Sequence, residues 1–197
     1  MGRGKRRAVF LDRDGTIIED VGYLRQPEDI RLLRGVSDPL RLLKKRGFLL
    51  VLATNQSGVA RGLLERTDVD RIHDRLNELL GRALVTLDAI YVCPHHPQDG
   101  RAPYLMHCTC RKPEPGMLLQ AQRDLDIDLS ASWLIGDQQV DIECGRRAGC
   151  QTILVLTGRE PGPSNQGTVS GPDAVVPDLL GAAQHIIAME ADPRSTT

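Results

Sequence analysis

Short apolar runs recur along the chain, and each is followed by turn residues and then by a helix-like segment. Strands that alternate with helices in this way predict a parallel sheet with helices packed on both faces. The predicted strands span residues 8–11, 48–53, 89–93, 133–135, 152–156 and 174–176. We therefore expect an α/β fold, with a doubly wound and mostly parallel sheet of Rossmann-like type.

The segments between these runs carry helical periodicity. Apolar residues three or four apart predict helices around 40–43, from 69 to 80, over 117–125 and over 178–189. A chain of 197 residues with 41% hydrophobic content can bury one substantial core. We expect a single domain over 1–190 with a loop at 93–110 inserted, and a disordered tail over 191–197. Residues 94–112 and 158–172 fit no regular element, and we expect the second to be a surface loop.

The composition excludes several classes of protein. A formal net charge of −1 and an isoelectric point near 6.5 give no sign of nucleic-acid binding. No apolar stretch approaches the ~20 residues that span a bilayer, and the run at 8–11 is too short for a signal peptide. Five cysteines, an odd number, argue against a disulfide framework. We expect a cytoplasmic monomer with neither nucleic-acid nor membrane partners.

Polar residues follow the predicted strands, and in open parallel sheets the carboxyl ends of the strands form the ligand site. Asp12 and Asp14 come directly after the first strand, two residues apart. Two carboxylates this close repel each other unless a cation lies between them. A hard, oxygen-liganded ion that also bridges phosphate oxygens is the natural choice, so the pair predicts Mg²⁺.

The other strand ends add the remaining parts of a phosphate site. Thr54, Asn55, Gln56 and Ser57 supply hydroxyl, amide and backbone donors, and Arg111 and Lys112 can neutralise a phosphate dianion. After the fourth predicted strand come Gly136 and Asp137, with Asp141 four residues on as a further metal carboxylate. A nucleophile, donors, cations and metal ligands are thus predicted along one rim of the sheet.

A second metal site is predicted from soft ligands. Cys93 with His95, and Cys108 with Cys110, form two pairs, and three thiolates with one imidazole satisfy tetrahedral Zn²⁺. Since the protein fills all four positions, we expect a structural zinc that orders the loop before Arg111. His96 and His107 flank the cluster and are alternatives to His95.

Four motifs resemble those of the haloacid dehalogenase superfamily: FLDRDGT at 10–16, ATNQSG at 53–58, CRKP at 110–113 and IGD at 135–137. The resemblance extends over about residues 8–157. It implies that Asp12 forms a phosphoaspartate and that Asp14 protonates the leaving alcohol and then activates water. It also implies that Mg²⁺ is held by Asp12, the main-chain carbonyl of Asp14, and Asp137, while Thr54 and Lys112 steady the phosphoryl group.

Within the superfamily, the long loop CPHHPQDGRAPYLMHCTC resembles that of the D,D-heptose 1,7-bisphosphate phosphatases. The related histidinol-phosphate phosphatases have a shorter stretch between the ligand pairs. The resemblance implies that Asp20, Val21, Gly22, Tyr23 and Arg111 contact a sugar phosphate. Gln138 stands where family members often have a lysine, so one positive charge near the substrate is lost. The chain has no room for a large cap domain before the third strand.

The leading hypothesis is removal of the 7-phosphate of D-glycero-D-manno-heptose 1,7-bisphosphate, for the synthesis of ADP- or GDP-heptose precursors of lipopolysaccharide. Histidinol-phosphate phosphatase activity is the alternative within the same chemistry. A phosphoacceptor signalling domain is an alternative of a different class. Asp14 argues against signalling, because a lasting signal needs no group that hydrolyses the phosphoaspartate.

Overall fold

A computed structural model describes residues 4–158 and 171–191. Its centre is a six-stranded sheet in which every strand pair is parallel, in the order β3-β2-β1-β4-β5-β6. The strands are β1 (Ala8–Leu11), β2 (Leu49–Asn55), β3 (Ala89–Cys93), β4 (Trp133–Gly136), β5 (Gln151–Val155) and β6 (Ala174–Val176). The α/β, doubly wound fold is confirmed.

Within the described residues, five helices connect or follow the strands: α1 (Ser37–Lys45), α2 (Arg66–Arg82), α3 (Gly116–Leu125), α4 (Gln139–Ala148) and α5 (Leu179–Ala191). The same part of the chain has short 3₁₀ turns at Pro27–Asp29 and Leu129–Ala131. Successive strand side chains point to opposite faces, so β1 contributes Val9 and Leu11 to one core and Ala8 and Phe10 to the other. Helices α1, α2 and α5 cover the first face, and α3 and α4 cover the second.

The predicted bounds of β1, β3 and β6 are confirmed, β5 begins and ends one residue earlier than predicted, and the ends of β2 and β4 were predicted too early. β2 continues through Thr54 and Asn55, because these residues pair with Val92 and Cys93 of β3. β4 includes Gly136, which pairs with Leu154 of β5. The polar residues that we expected to follow these strands therefore start at the last strand positions, where hydrogen bonds to the neighbouring strand hold their backbone.

The helices differ from the sequence expectations mainly at their ends. α5 reaches Ala191, the first residue of the expected tail, while 192–197 lie outside the described residues. Residues 139–148 form α4, for which no bounds were predicted. It begins with a reciprocal capping box between Gln138 and Asp141 and ends at Gly149 in a left-handed conformation.

The two segments that we expected to be irregular have different outcomes. Between β3 and α3 the chain forms neither helix nor strand, as predicted. Most of the expected surface loop at 158–172 lies outside the described residues. Between β2 and β3 the regular elements consist of α2 alone, with turns before it and a short lead-in to β3 after it, which leaves no place for a large cap there. Within 4–158 and 171–191, no helix combines the length and apolarity needed to cross a bilayer.

Candidate active site and Cys/His cluster

The strand order reverses between β1 and β4, and the predicted acidic residues gather at the carboxyl ends of these two strands. Asp12 follows β1 and Asp137 follows β4. The Lys112 ammonium lies between two carboxylates, with Nζ 2.6 Å from Asp12 Oδ1 and 2.5 Å from Asp141 Oδ1. It also donates to the main-chain oxygen of Ala53 at 2.9 Å. A lysine separated by 100 residues from Asp12 is thus its direct ion-pair partner.

These charges are held away from water. Lys112 is 3% exposed, and burial alone would lower its pKa, but the carboxylates of Asp12 and Asp141 raise that pKa well above the usual value. Burial raises the pKa of Asp12, although the positive charge of Lys112 opposes the change. Lys112 is therefore a permanent cation placed against the predicted nucleophile.

A cluster of three buried carboxylates has the composition of a site for a hard cation. Oxygens of Asp12, Asp137 and Asp141 all lie within 4.8 Å of one another. Both oxygens of Asp137 are buried, and neither has a hydrogen-bond partner among the described residues. Burial, followed by the charges of Asp12 and Asp141, raises the pKa of Asp137 to about 8. A divalent cation would supply the missing positive charge and would keep all three groups ionised.

Glycines leave the space around Asp137 open. Gly15 has φ +78, and a Cβ there would lie 2.5 Å from Asp137 Oδ2. A Cβ on Gly158 would be closer still, at 1.9 Å from the same oxygen. Gly15, the glycine of the DRDGT segment, is thus required for two reasons: its backbone is left-handed, and it lies close to the Asp137 carboxylate.

Asp141 has two roles besides its place in the carboxylate cluster. Its Oδ2 accepts a hydrogen bond of 3.1 Å from the backbone N–H of Gln138, which caps α4, and its Oδ1 pairs with Lys112. The sequence suggested only a metal carboxylate at this position. The spacing of Gln138 and Asp141 is the signal that could have predicted the cap.

The Asp14 carboxylate is oriented by its neighbours. Arg13 donates to it from Nη2 at 2.9 Å, and Gln56 Nε2 donates to its Oδ2 at 2.9 Å. The same Gln56 amide also donates to Thr54 Oγ1 at 2.9 Å. Burial raises the pKa of Asp14, although the charge of Arg13 opposes this. Gln56, which we expected to bind phosphate, uses its amide to fix Asp14 and Thr54.

Asn55 is likewise engaged within the protein. Its Oδ1 accepts from the backbone N–H of Lys112 at 3.0 Å, and its Nδ2 donates to the Lys112 carbonyl at 3.1 Å. This pair of hydrogen bonds fixes the backbone that carries the ammonium. Since β2 holds Asn55 in register, the last residue of the strand positions a cation that comes from a distant loop.

A cleft of about 380 Å³ opens above these groups. It is lined by Asp12, Asp14, Asp20, Gly22, Tyr23, Asn55, Gln56, Ser57, Gly58, Arg111, Lys112, Gln138, Val140 and Asp141. Gly58 and Val140 were not predicted to line it. The lining does not include Thr54 and Asp137, which are buried beneath, or Val21, which is half exposed.

The Cys/His cluster forms a compact group of four ligands beside this cleft. Cys93, His95, Cys108 and Cys110 offer ligand atoms within 4.8 Å of one another. Sulfur atoms of Cys93 and Cys108 are 3.6 Å apart, and His95 Nδ1 is 3.4 Å from Cys110 Sγ. These separations suit a tetrahedral zinc with bonds of about 2.3 Å to sulfur. The hydrogen bond between Cys93 and Cys110 lowers the pKa of Cys110 to about 5 and raises the pKa of Cys93, so without an ion the two sulfurs share one proton.

The alternative ligands His96 and His107 do not belong to this group of four. His96 Nδ1 accepts from the backbone N–H groups of Gln98 and Asp99, at 3.3 and 2.9 Å. Arg111 follows the last cysteine and donates to the carbonyl of His95 at 3.2 Å. The cluster and the cleft therefore share one loop, and an ion in the cluster would steady the residue that enters the cleft.

Comparison with known proteins finds relatives that share one named activity. The HAD-hydrolase-like family model matches residues 109–182. A D-glycero-beta-D-manno-heptose-1,7-bisphosphate 7-phosphatase of Photorhabdus laumondii is 46% identical over 153 residues, 77% of this chain and 81% of the relative. A D-glycero-D-manno-heptose-1,7-bisphosphate 7-phosphatase of Chlorobaculum tepidum is 41% identical over 182 residues, 89% of this chain and 92% of the relative.

This chain is also similar to a solved structure. The D,D-heptose 1,7-bisphosphate phosphatase of B. bronchiseptica, complexed with magnesium and phosphate, superposes with a TM-score of 0.79. It is 34% identical, and the match covers 92% of this chain and 98% of that one. The likeness therefore extends over nearly the whole of both chains.

Proposed function

Since this chain belongs to the haloacid dehalogenase superfamily, in the family of D-glycero-D-manno-heptose-1,7-bisphosphate 7-phosphatases, we propose that it hydrolyses the 7-phosphate of that sugar bisphosphate. The products are heptose 1-phosphate, a precursor for ADP- or GDP-heptose, and inorganic phosphate. The observation that carries the proposal is the identity of 46% to a relative of this name, together with the Asp12–Lys112 pair at the sheet switch point.

The reaction requires Mg²⁺, and the carboxylate cluster fits this ion. Both oxygens of Asp137 are buried without a partner among the described residues, and oxygen ligands suit a hard cation. Asp12, Asp137 and the main-chain carbonyl of Asp14 would hold it. Bound there, the ion neutralises phosphoryl charge and the repulsion among the carboxylates.

Asp12 is the nucleophile of the first step. Lys112 holds one of its oxygens at 2.6 Å, which orients the carboxylate and draws the negatively charged phosphoryl group towards it. A carboxylate oxygen attacks phosphorus, the bond from phosphorus to the C7 oxygen breaks, and a phosphoaspartate forms. Lys112 and the Thr54 hydroxyl stabilise the charge on the phosphoryl oxygens.

Asp14 handles the protons of both steps. Its carboxyl gives a proton to the leaving C7 oxygen, and burial, which raises its pKa, favours the protonated form that this requires. The resulting carboxylate then removes a proton from the water that attacks the phosphoaspartate. Inorganic phosphate leaves, and Asp12 and Asp14 return to their starting states.

The cleft supplies the sugar contacts. Asp20, Gly22 and Tyr23 lie on one side of it, while Arg111 and Gln138 add a cation and a neutral amide. Val21 is the exposed member of the same loop, and Ser57 offers a hydroxyl at the cleft wall. We assign Arg111 to the sugar-phosphate end of the substrate, where Gln138 is neutral and family members often have a lysine.

The Cys/His cluster holds a structural Zn²⁺ in this proposal. Four protein ligands leave no open position for water or substrate, so the ion orders the loop and takes no part in the reaction. Because thiolates persist in a reducing compartment, we place the protein in the cytoplasm. We further propose that it acts as a monomer with one domain over 1–190, with no nucleic-acid or membrane partner.

The test is a phosphate-release screen in the presence of Mg²⁺. Its substrates are heptose 1,7-bisphosphate, histidinol phosphate and several other sugar phosphates, and Asp12→Asn serves as the inactive control. We expect kcat/KM to be highest for the heptose bisphosphate, with heptose 1-phosphate as product. A preference for histidinol phosphate would overturn the substrate, and a phosphoaspartate that lasts for minutes would favour a signalling domain.

A further inference from the structure

Arg13, the residue between the two catalytic aspartates, is buried and lies outside the lining of the cleft. Its side chain is 1% exposed, so water cannot satisfy its five N–H groups. Nε and Nη2 donate to the Asp14 carboxylate, at 3.2 and 2.9 Å, and Nη2 also donates to Gln56 Oε1 at 2.9 Å. The remaining nitrogen, Nη1, lies 3.2 Å from His73 Nε2.

His73 occupies a core-facing position of α2, in a row with Val69, Ile72 and Leu76. It is 5% exposed, and a polar ring at such a position needs a buried partner. A guanidinium can only donate, so His73 Nε2 must be the acceptor and the ring must be neutral. Burial, with the charges of Arg13 and Arg66, lowers the pKa of His73 to about 3, in agreement with a neutral ring at working pH.

The contacts form one connected chain from α2 to the reacting groups. His73 accepts from Arg13, Arg13 holds Asp14 and Gln56, and Gln56 donates in turn to Asp14 and Thr54. Loss of the acceptor at position 73 would leave Nη1 without a hydrogen-bond partner among the described residues, and the guanidinium would tilt towards another acceptor. The Asp14 carboxylate would move with it, because Arg13 contacts both of its oxygens.

From this geometry we propose that His73 is a positioning residue for the proton transfer by Asp14, acting through Arg13. The inference rests on the role of Asp14 in the proposed function. Misplacement of a reacting group by about 1 Å can reduce a rate by about 100-fold. His73 does not touch the substrate, so its effect must appear in steps that need the proton.

Two variants at position 73 test the acceptor. His73→Leu keeps an apolar side chain of similar size without an acceptor, and His73→Gln retains an oxygen that can accept from Arg13 Nη1. For each, kcat/KM is measured with heptose 1,7-bisphosphate, whose alkoxide needs a proton to leave, and with p-nitrophenyl phosphate, whose phenolate leaves without one. Since kcat/KM covers the steps up to leaving-group departure, the two substrates separate proton delivery from general damage.

For His73→Leu we expect kcat/KM to fall roughly 10-fold or more with the heptose substrate and less than about 3-fold with the aryl phosphate. His73→Gln should restore most of the difference. Equal losses on both substrates would overturn the inference, because they would show a merely structural role. If His73→Leu does not fold, as judged by circular dichroism, His73→Met is made in its place and has the same expected outcome.

Asp14→Asn separates a failure of this inference from a failure of the proposed function. It should lose about 10²- to 10⁴-fold with the heptose substrate and much less with the aryl phosphate. If Asp14→Asn shows this difference and the position-73 variants do not, the inference alone is wrong. If Asp14→Asn affects both substrates equally, the role of Asp14 and the inference are both wrong.

Discussion

Lys112→Met removes the ammonium that pairs with Asp12 and Asp141 while it nearly preserves side-chain length. In the native protein these contacts measure 2.6 and 2.5 Å, and all three groups are buried. Breaking a buried ion pair on one side leaves a charge without compensation and costs about 3–5 kcal/mol. For a domain of this size, where each kcal/mol shifts Tm by about 2–4 °C, we expect Tm to fall by roughly 6–20 °C.

The assay is thermal unfolding followed by circular dichroism, with EDTA and then with Mg²⁺. A divalent cation at the carboxylate cluster restores part of the lost positive charge, so the deficit of Lys112→Met should be smaller in Mg²⁺. Lys44→Met is the matched control, because Lys44 pairs with Asp88 at 2.8 Å on a partly exposed surface. Such pairs contribute about 0–1 kcal/mol.

The Tm deficit of Lys112→Met should also depend on pH, in a direction that the ion pair predicts. Without Lys112, the pKa of Asp12 rises further above its value in the unfolded chain, so the native state binds protons more readily. The deficit in Tm should therefore shrink as the pH falls from 7.5 to 5. Turnover should fall by about 10²- to 10³-fold, as when a charge-stabilising donor is removed. A loss of Tm no larger than that of Lys44→Met would refute the ion-pair reasoning.

Three further predictions concern other parts of the site. Gly15→Ala should abolish most activity, since its Cβ would lie 2.5 Å from the Asp137 carboxylate. Gly35→Ala is the control, because Gly35 also has a positive φ of +75 but a Cβ there would meet no non-neighbouring atom within 4 Å. It should cost only about 1–2 kcal/mol of stability and leave kcat unchanged. By elemental analysis we expect one zinc per chain in the native protein and in His107→Ala, and none in Cys108→Ser; an unaltered zinc content in Cys108→Ser would contradict the ligand assignment. The pKa of His73 is lower in the folded protein than in the unfolded chain, so below pH 6.5 the unfolded chain binds a proton that the folded protein does not. The free energy of unfolding therefore falls as the pH drops from 6.5 towards 3. Between pH 7.5 and 5 the native protein should lose about 2 kcal/mol that His73→Gln does not lose, as measured by urea unfolding, and equal losses would count against a buried neutral ring.

Much of the fold could be predicted because the sequence patterns are local. The apolar runs of β1, β3 and β6 gave the observed strand bounds, since each run is bordered by polar or turn residues. The ends of β2 and β4 were placed too early because Thr54, Asn55 and Gly136 look like turn residues. Pairing with the neighbouring strands, which no local pattern records, keeps them extended.

The site was predictable as a set of residues and not as a set of contacts. Strand ends in a parallel sheet converge, so Asp12, Asp137 and Lys112 could be expected together. The partners of individual side chains depend on packing between distant segments. The contact of Arg13 with His73 spans 60 residues and exists only because of how α2 packs on the sheet. Asn55 orients Lys112 for a similar reason, across 57 residues.

The most direct test of the account is a rapid-quench single turnover with heptose 1,7-bisphosphate and Mg²⁺. Acid stops the reaction, and peptide mass spectrometry then locates any phosphoryl group on the protein. We predict a transient phosphoryl group on Asp12 that forms and decays at rates at least as fast as kcat, and none on Asp12→Asn. Turnover of the native enzyme without a phosphoryl group on Asp12, or with the group on another residue, would contradict the account.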